Sequence, residues 1–169
     1  MNVYFTSDTH LGHNNIIVYC NRPFKTVEEM DMVIMGNWNK TVTDDDIVYH
    51  LGDVAFGPDK EEYYRHVAKK FNGIKFFIKG NHDHSVKKME ACGLNVDYGP
   101  RVLEEHKLII SHKPMPDNTI PDGYVNVHGH IHNLPLDESF DPKKHYCVCQ
   151  ELNDYKPISL EKILQELHR

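Results

Sequence analysis

Five short apolar runs, each closing on a cluster of Asp, His, Asn or Gly, restrict what this chain can fold into more than any other feature of its sequence. They are NVYFTSD at 2–8, DIVYHLGD at 46–53, IKFFIKGNHD at 74–83, HKLIISHKP at 106–114 and YVNVHGHIH at 124–132. Runs this short and this continuously apolar read as buried strands feeding polar loops, so the sheets they form must be covered. Helical signals lie between them. Thr26 and Glu29 make a capping box ahead of Val27, Met30, Ile34 and Trp38, which predicts a helix to about residue 39. Asp59 with Glu62 opens a second helix carrying Tyr63, Val67 and Phe71, with Gly73 placed as its left-handed C-terminal cap. Ser85 starts a short third helix through Met89, and Ser159 opens a final amphipathic one with Leu160, Ile163, Leu164 and Leu167 on its apolar side. The second half is richer in strands: VDYG, RVLEEHKLII with a turn at 105–107, and HYCVCQEL at 145–152 as the last. This order predicts an α/β fold in which two mixed β-sheets pack as a sandwich flanked by helices, in a single domain over residues 1–169.

Charge narrows the range of partners. Nineteen Lys plus Arg against 25 Asp plus Glu leave a formal charge of -6, which repels a polyanion unless basic residues gather at one site. Stable binding to long nucleic acid is therefore not expected. The start MNVYFTSDTH has no basic, apolar or small-residue stretch of the kind a signal peptide needs, and no segment approaches the ~20 apolar residues of a membrane span. The expected location is the cytoplasm, without membrane contact. Cys20, Cys92, Cys147 and Cys149 are too few and too irregular for a disulfide framework and read as reduced thiols, with Cys147 and Cys149 on opposite faces of their strand. Thirteen histidines stand out, because several sit beside Gly, Asp and Asn at apparent strand ends, and that points to metal chemistry.

Taken singly, each motif has an ordinary alternative. Asp8-Thr9-His10 can aim a carboxylate and an imidazole at one ion, since residues two apart on a strand share a face, but it is also a common loop pattern. Gly52-Asp53 offers an aspartate able to bridge two cations, or a plain turn. Gly80-Asn81-His82-Asp83 offers a neutral carbonyl oxygen at Asn81 and an imidazole at His82, or a turn with an Asx hydrogen bond. His112 alone is weak, whereas Gly129-His130-Ile131-His132 places two imidazoles on one side of an extended segment. His50 and His128, each just ahead of a motif glycine, read as core groups or supports of ligands. His13, Asn14, Arg22, Arg101 and Lys113 lie near motifs and are either phosphate contacts or surface residues.

The ordered set D-x-H, GD, GNHD, H and GH-x-H, each after a hydrophobic strand, resembles the calcineurin-like metallophosphoesterase superfamily over Asn2 to about Asn153. The stretches DTHLGHNNII, NRPF and NDYKPISLEKI are similar to a compact bacterial and phage subgroup. The resemblance implies one metal held by Asp8, His10, Asp53 and His132 and another by Asp53, Asn81, His112 and His130, with Asp53 as the bridge. It implies two divalent ions, manganese first with iron or zinc as alternatives, and hydrolysis of a phosphomonoester or phosphodiester by a bridging hydroxide. His82 then matches the histidine that protonates or stabilises the leaving oxygen, so His82 and Asp53 are the expected catalytic residues. GDVAFG and GNHD depart from the protein phosphatase branch, which leaves the carboxylate partner of His82 unassigned; Asp83 either takes that part or caps the following turn. A small, nucleotide-like phosphorylated substrate is expected. The alternatives are a nuclease on short or single-stranded ends, which needs a basic aromatic groove, and a non-catalytic scaffold, which would lack part of the ligand set.

Overall fold

The computed structural model describes residues 1–168. A five-stranded sheet contains β1 (Val3–Thr6), β2 (Ile47–His50), β3 (Ile74–Ile78), β4 (Asn95–Asp97) and β9 (Ile158–Ser159), in the order β4-β3-β2-β1-β9. A four-stranded sheet holds β5 (Arg101–Leu103), β6 (Leu108–Ser111), β7 (Val125–His128) and β8 (His145–Cys147) in chain order. Both are mixed: β9 and β5 run antiparallel to their neighbours, and the other pairings are parallel. Five α-helices accompany them, α1 (Asn14–Tyr19), α2 (Val27–Thr41), α3 (Lys60–Lys70), α4 (Val86–Ala91) and α5 (Leu160–Glu166).

Strand alternation divides the apolar runs between two cores. Tyr4, Val48 and Phe77 face one core, built with Ile16 of α1, Ile34 and Trp38 of α2, Val67 of α3 and Met89 of α4. Phe5, Tyr49 and Ile78 point the other way, into a core shared with Leu108, Ile110, Val125 and Val127 of the second sheet and closed by Ile163 of α5. The expected sandwich of two mixed sheets with helices outside is what forms. All five motifs emerge at the carboxyl ends of parallel strands, three from one sheet and two from the other, so packing the sheets brings the loops to one edge.

Local expectations were met unevenly. The capping box opens α2 as read: Thr26 Oγ1 accepts from Glu29 N at 3.2 Å, and the Glu29 carboxylate reaches back to Lys25 N at 2.8 Å. The helix α1 was not anticipated, because its six residues bury one side chain, Ile16, and give no period to read. The C-terminal cap of α3 is Phe71 in extended conformation. Gly73, expected there, is left-handed (φ 91°) two residues later and steers the chain into β3. The inward residues of α3 are Tyr64 and Val67, with Tyr63 only partly covered.

The run at 145–152 is a strand only to Cys147, followed by a single bridge from Cys149 to Ser7 and a 3-10 turn over 150–152. Side-chain bonds from Gln150 Nε2 to Thr6 Oγ1 (2.6 Å) and from Asn153 Nδ2 to Cys149 O (3.1 Å) replace the ladder there. The last strand is instead β9. The two thiols of 147 and 149 do not face apart: being two residues apart they share a side, with sulfurs 3.4 Å from each other.

Candidate metal centre

The five loops are tied to one another through main chain. Asp8 N donates to Gly52 O at 2.9 Å, His10 N to Asp53 O at 3.0 Å, and Gly129 N to His112 O at 2.9 Å. Of ten non-glycine residues with positive φ among the described residues, five are Asp8, His10, Asp53, His130 and His132. Left-handed backbone costs a β-carbon-bearing residue energy and persists where the surroundings demand it, so its concentration at these positions marks a constructed site. It also corrects the strand-face argument: Asp8 with His10, and His130 with His132, lie past their strand ends, and loop backbone rather than strand alternation aims them. His130 and His132 consequently diverge into different clusters. Glycine is required at 80 and 129 by close approach, since a β-carbon at Gly80 would overlap Asp53 Oδ1 and one at Gly129 would overlap Ser7 Oγ and Asp8 Oδ2.

Each aspartate divides its oxygens between scaffold and cavity. Asp8 Oδ2 accepts from Ser7 Oγ, from His130 N at 2.9 Å and from the Cys149 thiol at 3.3 Å. Its Oδ1 is buried with no hydrogen-bond partner and lies 3.7 Å from His10 Nε2 and 3.6 Å from His132 Nε2. Asp53 Oδ1 accepts from His82 N at 2.8 Å, leaving Oδ2 at 3.6 Å from His10 Nε2 and 3.4 Å from His112 Nε2. His10 Nε2 is likewise buried and unpartnered. Asn81 Oδ1 sits 2.7 Å from His112 Nε2. Asp8, His10 and His132 form one group of donor atoms, and Asp53, His112 and His130 a second, each within 4.8 Å.

These separations suit a cation. Ligands about 2.1 Å from a common ion stand roughly 3 to 3.5 Å apart, close to the separations found between these nitrogens and oxygens. The orphaned oxygen of Asp8 and nitrogen of His10, buried and aimed at the same space, are costly unless an ion fills it. The donors are nitrogen and oxygen without thiolate, which suits borderline and hard divalent ions.

Support behind the donors fixes which ring atom faces inward. His112 Nδ1 lies 2.8 Å from Leu51 O, and His132 Nδ1 lies 3.0 Å from Glu151 Oε1, so in each ring Nε2 faces the cavity. Glu151 is held in turn by Arg22 Nε (2.9 Å) and Nη2 (2.7 Å), while the same guanidinium donates to Asp8 O and Thr9 O. Burial opposes it, but hydrogen bonds that the ring donates to Cys20 and Glu151, with the Asp8 charge, raise the His132 pKa to about 10. Cys20, His132 and Glu151 form a third donor cluster that shares its imidazole with the first. His50, kept neutral by burial with its pKa lowered to about 4, joins Thr9 Oγ1 at 2.9 Å to Gly52 N at 3.2 Å and so links two loops. Asp83 neither partners the His82 ring nor caps the turn that follows. Its carboxylate accepts from Gly80 N, Asp53 N, Val54 N and Tyr64 Oη, clamping the second and third motifs together.

The donors open onto a cleft of about 460 Å³. The exposed His82 ring lies there, 5.6 Å from the His10 ring and edge-on to Phe56 at 5.3 Å. His13 lines the cleft too, as does Asn15 rather than Asn14. Arg22 is buried and engaged, and Arg101 packs over the rings of Tyr49 and Phe76 with Asp97 beside it. Glu151 and the cleft residues Tyr19 and Leu134 were not singled out from sequence, and Cys149 was read only as a reduced thiol. Only the nearness of Glu151 to the NDYKPISLEKI stretch hinted at it, since its partner Arg22 is 129 positions away.

A family profile described as calcineurin-like phosphoesterase matches residues 1–166. The uncharacterized protein MJ1445 of Methanocaldococcus jannaschii is 39% identical over 171 residues, covering 99% of this chain and 92% of that one. The Gene 66 protein of Mycobacterium phage L5 is 36% identical over 84 residues, 48% of this chain and 40% of its own. A crystal structure of AQ665 from Aquifex aeolicus, described as a protein of unknown function, superposes with a TM-score of 0.74 at 30% identity and covers 98% of both chains.

Proposed function

The chain belongs to the calcineurin-like phosphoesterase family, and from that premise we propose that it is a dinuclear metal-dependent hydrolase of small phosphate esters. One observation carries the reading: a single oxygen, Asp53 Oδ2, lies 3.6 Å from an imidazole of one donor group and 3.4 Å from an imidazole of the other. Asp8, His10, Asp53 and His132 would hold one divalent ion, and Asp53, Asn81, His112 and His130 the second, with manganese preferred over iron or zinc. Bound there, the ions supply Lewis acidity, lowering the pKa of a water and offsetting phosphate charge.

The side chains do the rest. Asp53 and Asp8 set the spacing of the two groups, and the loops behind them hold every ligand before substrate arrives. The His82 imidazole, tethered through its main-chain N–H to Asp53 and free of the ligand set, donates a proton to the leaving oxygen. Substrates reach it by the open cleft. No described helix is long and apolar enough to cross a membrane.

The test combines metal counting with one variant. Elemental analysis of manganese-loaded protein is expected to give two ions per chain, and one ion or none near Asp53 in anomalous maps would overturn the dinuclear reading. His82→Ala should keep both ions yet lose about 10²-fold to 10⁴-fold in turnover on an alkyl ester, and much less on a nitrophenyl ester that needs no proton. Equal losses on the two would remove His82 from the acid role.

A further inference from the structure

The wall of the cleft beside the donor groups is apolar and carries no cationic side chain among the described residues. Ile16, Tyr19, Phe56 and Leu134 line it with the neutral amides of Asn15 and Asn133. Tyr19 and Leu134 are 72% and 68% exposed, large apolar groups standing open at the mouth of a polar centre. The His13 and Phe56 rings stack at 3.9 Å with 20° between their planes, and Tyr19 meets His13 edge-on at 6.2 Å. The wall is therefore a run of rings, to which a flat group on the substrate can add at little conformational cost.

The nearest cations are engaged elsewhere. Arg22 is buried and spends its donors on Asp8 O, Thr9 O and Glu151. The Lys60 ammonium donates to the His82 carbonyl oxygen and lies 5.4 Å from the centre of the Phe56 ring. Lys113 is exposed beside His112 and does not line the cleft, though its charge reaches the His130 ring at the edge of it. Among the described residues no guanidinium lines the cleft to take the second negative charge of a phosphomonoester, and of the lining side chains only imidazoles could meet the further charges of a polyphosphate.

Resting on the phosphoesterase reading, we infer that the cleft selects phosphodiesters of a single negative charge that carry an aromatic ring, a nucleobase or an aryl group, seated between Tyr19 and Leu134. Water adds to phosphorus, one P–O ester bond breaks, and the leaving oxygen takes a proton, giving a monoester and an alcohol. The monoester product, with its greater charge, is the species the cleft holds less well. A cleft of about 460 Å³ has room for one ring and one phosphoryl group.

The experiment uses manganese-loaded protein and three probes with the same leaving group: bis(4-nitrophenyl) phosphate, methyl 4-nitrophenyl phosphate and 4-nitrophenyl phosphate. The wild type is expected to show a kcat/KM on the bis-aryl diester at least about 10-fold above that on the monoester, and monoester preference would overturn the charge argument. Tyr19→Ala with Leu134→Ala, both at exposed positions, should raise KM for the bis-aryl diester about 10-fold with kcat little changed, and affect the methyl diester far less. Calorimetry with diphenyl phosphate, a poor substrate, should show the same weakening in Kd. Equal effects on all three probes, or an unchanged Kd for diphenyl phosphate, would overturn the ring site. No turnover of any probe by protein holding two ions would instead defeat the phosphoesterase reading, and this selectivity with it.

Discussion

The two donor groups are built to different depths. Behind Asp8, His10 and His132 stands a second layer of side chains: Ser7, Cys149 and His13 on one side, and Glu151 with its buried Arg22 on the other. Behind Asp53, His112 and His130 the support is mostly main chain, with Leu51 O on His112 and His82 N on Asp53. Asn81 is exposed and the His130 ring is half-buried. A layer of fixed charges and hydrogen bonds orients ligands before an ion arrives, whereas an exposed amide must be ordered by the ion itself. The first group should accordingly bind its ion the more tightly, and the second should be the one that exchanges.

The largest expected effect comes from the residue the groups share. Asp53→Asn keeps an oxygen to accept from His82 N but removes the charge that both groups use, so metal binding should weaken at both and turnover should fall by at least about 10³-fold. Titration of chelator-treated protein with manganese checks this. A variant that still fills one group at wild-type affinity would show that Asp53 serves only the other.

A smaller and one-sided effect is expected from Glu151. Glu151→Gln leaves an acceptor for His132 Nδ1–H but removes the charge held by Arg22, and should weaken the tighter manganese site about 10-fold while leaving the weaker one alone. Glu151→Ala should cost about 100-fold at that site, and some stability besides, because Arg22 is left buried without its partner. If both sites weakened equally, the second layer would be supporting the fold rather than the first group.

The same contrast separates what the sequence announced from what it hid. The candidate ligands were legible because each follows an apolar strand end at fixed short spacing, and the strands themselves were legible through their continuous burial. Their backbone was not: nothing in Asp8-Thr9-His10 signals a left-handed residue at both ends, and strand alternation was the wrong reason for the right convergence. Glu151 escaped, and the parts played by Cys149 and Arg22 with it, because their partners here lie more than ten positions away, where local pattern says nothing. Asp83 was visible but its part was not, since a carboxylate taking three main-chain N–H groups and a tyrosine hydroxyl depends on two loops meeting. The turn that ends β8 was hidden for the same cause, its competing bond being from Gln150 to Thr6 of the other sheet.

The least effect is expected at the outer support of the first group, and it appears in stability rather than in catalysis. Asp31 accepts from Gly12 N at 3.1 Å, two residues beyond His10, and touches no proposed ligand. Burial pushes its carboxyl up from an ordinary 3.8 to about 6, against the lowering effect of that hydrogen bond. A raised folded value means that the folded chain holds this proton more tightly than the unfolded one. The contribution is therefore complete below pH 3.8 and is lost as pH rises through about 6. Asn at this position keeps an oxygen for Gly12 N and cannot ionise, so Asp31→Asn should lack that part of the loss. At pH 8 the variant should exceed the wild type by on the order of 1 kcal/mol, less than the whole shift implies because a half-buried carboxyl is partly screened by water. Denaturant unfolding of chelator-treated protein at pH 5 and pH 8 measures the difference, with manganese binding expected to be unchanged. If wild type and variant lost stability in parallel between those two values, the carboxyl would already be ionised across the range, and the backing of the first group would carry no buried acid.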